Sequence, residues 1–244
     1  MQTTLNKEGL KLMNNKQREI VLTQWQKHQH ENLEVDYDVS GEGDVLKGFM
    51  IKKNVWNPFL ASGRYHAHYL FYHNNLFFGK TAIEIGSGTG LMGVVMAKHG
   101  AKKVIMSDIS LASVENSKDN AKKFGLDKIC SVIQGDLFEN IKEKADVITW
   151  MIPFFAGNPP SGDTISASMI MPPELFERFL KKAPEYLNKD GVIIIPSFSL
   201  GGDLTDPSLV AKNFNYDIKT TWLHKSINGI QQGMIYMHEL RLKK

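Results

Sequence analysis

A chain of 244 residues, 42% hydrophobic and 23% charged, is long enough for one α/β core with a modest extension and too short for two full domains. The formal net charge of +3 is spread along the chain and neither requires nor excludes nucleic acid, while the single cysteine, Cys130, excludes an internal disulfide and any cysteine-rich metal site. No apolar run is long enough to span a bilayer and the N-terminus lacks the apolar core of a secretory signal, so a soluble cytoplasmic protein is expected, with no membrane partner.

Residues 5–27 space Leu10, Met13, Ile20, Val21 and Trp25 as one helix with an apolar side. "LEVDYDV" and "DVLKGFMI" alternate around the turn "SGEGD" and predict a β-hairpin. Residues 1–55 therefore read as a helix and hairpin cap on a main domain, 56–244. In that domain strand and helix alternate. Ser62 can cap a helix over "GRYHAHYLFYHNN", "KTAIEI" is a strand running into Gly86, and "GLMGVVMAKHG" is a helix closed by Gly100. The strand "KVIMSD", the helix "LASVENSKDNAKKFG" and the strands "ICSVIQ" and "ADVITW" follow. A long loop then leads to the helix "PPELFERFLKKAPEYL" and, after a turn at Asp190 and Gly191, the strand "GVIIIPS". Such alternation predicts a doubly wound parallel sheet with helices on both faces. The tail segments "NYDIKTTWLHK" and "QQGMIYMHELRL", joined by a turn at Asn228 and Gly229, predict an antiparallel pair.

In such a sheet a ligand binds beyond the carboxyl ends of the strands, where the strand order reverses. "EIGSGTG" lies at the end of the first strand of the main domain, and Gly86, Gly88 and Gly90 allow a tight turn that exposes amides at a helix N-terminus. The dinucleotide pattern would need a glycine at position 91, which is Leu91, and no phosphate loop is present. Asp108 closes the second strand, where a carboxylate can accept from both hydroxyls of a ribose, and Asp136 follows the third, where an acid can take a proton from an adenine amine. Glu84, inside the first strand, needs a positive charge or a donor beside it if it is buried.

Through "AIEIGSGTG", "VIMSDIS", "QGDLF" and "ADVITW", in that order and spacing, the chain from about residue 55 onward resembles the class I S-adenosylmethionine-dependent methyltransferases, and within them the small-domain group. The resemblance implies a Rossmann-like seven-stranded sheet whose last strand is antiparallel, with S-adenosylmethionine as cofactor rather than NAD. It also implies that the glycine loop, Glu84, Gly86, Ser87, Gly88 and Gly90, holds the methionine part, Asp108 with Ile109 the ribose, and Asp136 with Leu137 the adenine. Ser62 and Trp150 complete the expected cofactor set.

In the small-domain methyltransferases that act on RNA guanine or glutamine amines, an Asn-Pro-Pro-aromatic motif ends the fourth strand. Met151, Ile152, Pro153 and Phe154 stand in those places here, and the asparagine is gone. Asn158 lies seven residues too far on, more than ~20 Å along an extended strand, and reads as loop punctuation. The acceptor end is thus expected to be an apolar wall of Met151, Ile152, Pro153 and Phe154, flanked by Trp150 and Phe155. Should a proton have to leave, Tyr65, His66, His68 and Asp163 are the candidates. The pairs His28/His30 and His66/His68 diverge on helices, so no metal is expected. The expected acceptor is a small molecule or a protein side chain. RNA or protein glutamine with a rebuilt site, and a cofactor-binding module without transfer, are the alternatives. The loop "AGNPPSGDTISASM" has the length and polarity of a substrate lid.

Overall fold

The computed structural model describes residues 9–60, 62–225 and 233–244. The turn expected at Asn228 and Gly229 lies outside them. The N-terminal helix α1 (Asn15–Lys27) opens later than the apolar spacing suggests, because Asn14 and Gln17 form a reciprocal capping box in which each side chain accepts from the other's backbone amide. Leu10 and Met13 are buried in the turn before it. The expected hairpin is present, as β1 (Leu33–Asp38) and β2 (Val45–Ile51) in antiparallel register.

Then come α2 (Gly63–Tyr72), β3 (Thr81–Ile85), α3 (Leu91–Lys98), β4 (Lys103–Asp108), α4 (Leu111–Lys123), β5 (Cys130–Gln134) and β6 (Ala145–Trp150). Ser62 occupies the position before α2 but its side chain accepts no capping hydrogen bond, since its own backbone is already in the helical region. The segment expected to be an unstructured loop after β6 contains β7 (Phe155–Ala156), the single turn α5 (Thr164–Ala167) and β8 (Ile170–Met171), with β7 and β8 paired in parallel. Asp163 nucleates that turn by accepting from the Ser166 amide and hydroxyl. Next are α6 (Pro173–Lys182), β9 (Leu187–Phe198), α7 (Pro207–Val210), β10 (Tyr216–Lys225) and β11 (Met234–Leu242). Asp190 and Gly191 lie inside β9 rather than before it. Leu187 pairs with Ala145 and Val192 with Val147, so the residues between form a bulge with Asp190 at φ 63°.

The seven-stranded sheet runs β10, β11, β9, β6, β3, β4, β5, with β11 antiparallel to both neighbours. The chain leaves β3 toward β4 and β5, then returns to place β6 on the other side of β3, so the strand order reverses between β3 and β6. Alternation along β3 sends Ala82 and Glu84 toward α3 and Ile83 and Ile85 toward α6, and the two faces support separate cores. The core on the α3 side includes Ile20 and Val21 of α1 and Leu46, Phe49 and Ile51 of the hairpin. Asn116 and Asn120 of α4, both fully buried, tie the hairpin down. Asn120 accepts from the Met50 amide and donates to the Met50 carbonyl, and Asn116 accepts from the Lys52 amide. No helix among the described residues is long and apolar enough to cross a membrane.

Candidate active site

A cleft of about 520 Å³ opens along the carboxyl ends of the strands, from Asp136 past β5, through Asp108 on β4 and Gly86 after β3, to Trp150–Phe155 after β6 and Phe198 on β9. That is the crevice the reversal of strand order creates, and its size suits a small-molecule cofactor.

The glycine loop forms its floor. Gly86 sits at φ 61°, and a Cβ there would stand 3.0 Å from Trp150 Nε1, so neither the backbone nor the neighbouring ring tolerates a side chain. The Ser87 amide donates to the Ser107 carbonyl, and the Ser87 hydroxyl bonds to that of Ser117. Asn120 also donates to the Thr89 carbonyl, so the side chain that holds the hairpin holds the loop as well.

Glu84 has the donor that its burial demanded: the Gly93 amide at the start of α3 reaches Oε2 at 2.8 Å. Burial pushes the carboxyl up to about 8, against the pull of the Gly93 and Met92 amides and with a push from the Asp108 charge. Asp108 binds one amide on each oxygen, Gly88 at 2.8 Å on Oδ2 and Ser110 at 2.9 Å on Oδ1. Burial raises its carboxyl also, opposed by the Gly88 and Ser110 amides. The Ser113 hydroxyl and the Ile109 amide also bond this carboxylate, so a diol would reach it by displacing the Ser113 hydroxyl.

At the far end Asp136 meets a partner that the sequence did not reveal. Arg178 Nη2, from α6, donates to both of its oxygens at 2.8 and 2.7 Å. Both side chains are well exposed, so the pair is worth at most about 1 kcal/mol and a ligand amine can replace it at little cost. Leu137 follows at φ 53°, a left-handed conformation rare for a branched side chain, and lines the cleft with Ile109. Ser107 fixes that bend by donating to the Leu137 carbonyl.

Met151, Ile152, Pro153 and Phe154 line the other end together with Trp150 and Phe155, giving an apolar wall. The Phe154 carbonyl is already used by the Thr205 hydroxyl at 2.6 Å. Ser62 also lines the cleft. Tyr65 does not: its ring is buried beneath the Arg64 guanidinium, which donates to its hydroxyl. The other proton acceptors expected from the sequence also lie off the lining. His66 is fully buried against the Thr149 hydroxyl, with burial pulling it down to about 3. His68 bonds the Val39 carbonyl, and Asp163 is taken by Trp25 and Ser166. The lining that the sequence missed comes from the N-terminal segment, namely Ile20, Gln24 and Trp56, while Thr164 and Ser168 belong to the loop expected to act as a lid. No group of three His, Cys, Asp or Glu side chains among the described residues is placed to hold a metal ion.

A glycine loop at the switch point, an acid at the end of the next strand and an antiparallel last strand define a class I S-adenosylmethionine-dependent methyltransferase architecture. The pattern of the methyltransferase small domain matches residues 69–199, more than half of the chain, and the chain belongs to that family. It is 37% identical over 132 residues to a Methanocaldococcus jannaschii protein described as a protein N5-glutamine methyltransferase, covering 51% of this chain and 64% of that one. A release factor glutamine methyltransferase of Borreliella burgdorferi is 29% identical over 127 residues, 48% of this chain and 44% of its own length. The chain thus spans less than two thirds of either relative. Among solved structures, the 16S rRNA N2 methyltransferase of T. thermophilus, determined with AdoMet and guanosine, shares the fold at a TM-score of 0.63 and 15% identity, over 88% of this chain and 51% of that one. The ribosomal protein L11 methylase of Lactobacillus delbrueckii subsp. bulgaricus does so at 0.55 and 17%, over 75% and 81%.

Proposed function

We propose that the chain transfers the methyl group of S-adenosylmethionine to an uncharged nitrogen on a protein side chain or a small molecule. The cleft suits that cofactor: the Asp108 carboxylate can accept from the ribose in place of the Ser113 hydroxyl, Asp136 can accept from the adenine amine, and Gly86 to Gly90 with the buried Glu84 lie where the methionine part would go. Ser87, Ile109, Leu137, Ser62 and Trp150 are the remaining cofactor contacts of this proposal.

One observation carries the choice of acceptor. The described lining of the cleft contains no His, Lys, Tyr or Cys, and its carboxylates lie at the cofactor end or, as Glu174, on α6. A hydroxyl acceptor would need a base to remove its proton, whereas a neutral nitrogen brings its own lone pair and needs mainly alignment. In the reaction that lone pair forms the N–C bond, the S–C bond breaks with its electrons staying on sulfur, and the nitrogen then loses its proton to water. The apolar wall of Met151, Ile152, Pro153 and Phe154 excludes water from the point of transfer.

A glutamine amide as acceptor is a second reading, supported by the 37% identical relative. The test is incubation of the protein with methyl-labelled donor and fractionated cell extract. Label in protein or small molecules is expected. Label confined to RNA, or none, overturns the proposal.

A further inference from the structure

The N-terminal helix contributes to the cleft a polar group without a partner among the described residues. Gln24 is 5% exposed, lines the cleft one turn after Ile20, and its side-chain Oε1 is buried without a hydrogen-bond partner. A buried carbonyl oxygen without a donor is costly to keep, and few native side chains are left so. The structure also holds this one in place. Gln17 of the same helix donates to the Leu200 and Gly201 carbonyls beyond β9, Trp25 donates to Asp163 beside α5, and the Gln24 backbone carbonyl is bonded by His28 Nδ1 at 2.7 Å. His28 in turn stacks at 3.5 Å on Trp56, itself part of the lining. A helix fastened at both ends holds the amide in the lining of the cleft, which Met151 to Phe155 and Phe198 also form.

We infer that Gln24 orients the methyl acceptor, its Oε1 accepting an N–H from the nitrogen that is methylated and turning that nitrogen's lone pair toward the donor methyl. The inference rests on the methyl-transfer reading above and narrows its substrate class to nitrogens that still carry a hydrogen: primary or secondary amines in neutral form, carboxamides, or ring N–H groups. An oxygen that accepts one hydrogen bond draws electron density toward the nitrogen without taking its proton, which suits a site whose lining offers no base. The proton leaves to water after transfer. Gln24 is a positioning residue, and a fully substituted nitrogen would leave its carbonyl as unpaired as it is without a ligand.

The test compares wild type with Gln24→Met, an apolar side chain of similar length, and Gln24→Glu, which keeps an acceptor oxygen at the same reach. S-adenosylhomocysteine affinity by calorimetry, thermal midpoint, and label transfer from methyl-labelled S-adenosylmethionine into fractionated cell extract are measured on all three. Gln24→Met is expected to fold with an unchanged or higher midpoint, because an unpaired buried amide has gone. It should bind S-adenosylhomocysteine within about twofold of wild type and lose about tenfold or more in label transfer, as loss of one aligning hydrogen bond implies. Gln24→Glu should retain more transfer than Gln24→Met. Transfer that survives in Gln24→Met, or an equal loss in both variants, overturns the inference while leaving the methyltransferase reading intact. Wild-type protein that binds the cofactor but labels nothing overturns both.

Discussion

Replacing Asp108 by Asn tests the nucleoside end of the cleft with the smallest change of shape. In the native protein the carboxylate accepts from the Gly88 amide on Oδ2 and the Ser110 amide on Oδ1 and also bonds the Ile109 amide and the Ser113 hydroxyl, the last of which a ribose hydroxyl can replace. An asparagine side chain has one acceptor oxygen and one NH2. Whichever way it is turned, the NH2 meets a backbone amide donor and cannot accept a hydroxyl, while the remaining oxygen keeps its amide and one neutral hydrogen bond. Binding thus loses one charge-assisted hydrogen bond outright, about 1.5–3 kcal/mol, or about 10- to 150-fold in affinity. The displaced amide is a loss shared by the free and bound protein and belongs to stability, so it does not enter that figure. Titration calorimetry with S-adenosylhomocysteine on wild type and Asp108→Asn measures the effect, with NAD as a control expected to bind neither. Asp136→Asn should cost less, because Arg178 already occupies that carboxylate and the pair is solvent-screened. Affinities within twofold for Asp108→Asn would remove Asp108 from the binding site and refute the assignment of this end of the cleft.

Glu84 has its carboxyl raised from 4.5 to about 8, so its contribution to folding is fully present below about 4.5 and is lost as pH rises through about 8. The thermal midpoint should therefore fall between about pH 4.5 and about pH 8 in wild type, level off above that, and fall less in Glu84→Gln, which keeps an acceptor for the Gly93 amide; parallel curves would show that Glu84 is not the titrating group. Met151→Asn places an amide in the apolar wall, where an unpaired polar group costs about 1–3 kcal/mol, so single-turnover methyl transfer should drop while S-adenosylhomocysteine affinity holds. A faster rate would mean that the wall is a degraded amide site. Asn120→Ala leaves the Met50 amide and the Thr89 carbonyl without their partner and should destabilise the protein by about 2–5 kcal/mol in urea unfolding, and a loss below about 1 kcal/mol would show that the clamp is dispensable.

The convergence of Gly86, Gly88, Gly90, Asp108 and Asp136 on one cleft was legible because their signals are local: the glycines follow an apolar strand, Asp108 ends the next and Asp136 follows the third. Each needs only its own strand to define its place. Glu84 was legible as a demand for a donor, though not as a ligand of the α3 amides, because the fold rather than the spacing decides which donor arrives. Arg178 and Gln24 were hidden for the converse reason. Both reach the cleft from helices distant in sequence, and nothing in "FERFLKK" or "LTQWQKH" marks one polar side chain among several. The start of α1 could have been read from Asn14 and Gln17, whose spacing is that of a capping box, had the apolar pattern of Leu10 and Met13 not suggested a longer helix. Tyr65 was misplaced because a helix of alternating aromatic and histidine residues offers no periodicity to say which side faces a cleft.

The two hydrogen bonds from Gln17 to Leu200 and Gly201 join parts of the chain separated by 183 and 184 residues. During synthesis α1 is made before the carbonyls of Leu200 and Gly201 that anchor it, which appear only after β9 has been completed. Local pairs such as β1 with β2 and β3 with β4 can form meanwhile, so docking of α1 belongs to the late stage of folding, when the entropy of closing so long a loop has to be overcome. Until then the apolar side chains of Ile20 and Val21 stay open to solvent. A chain stalled on the ribosome short of residue 200 would lack the carbonyls that Gln17 binds, so the docking of the N-terminal helix depends on prompt completion of the chain.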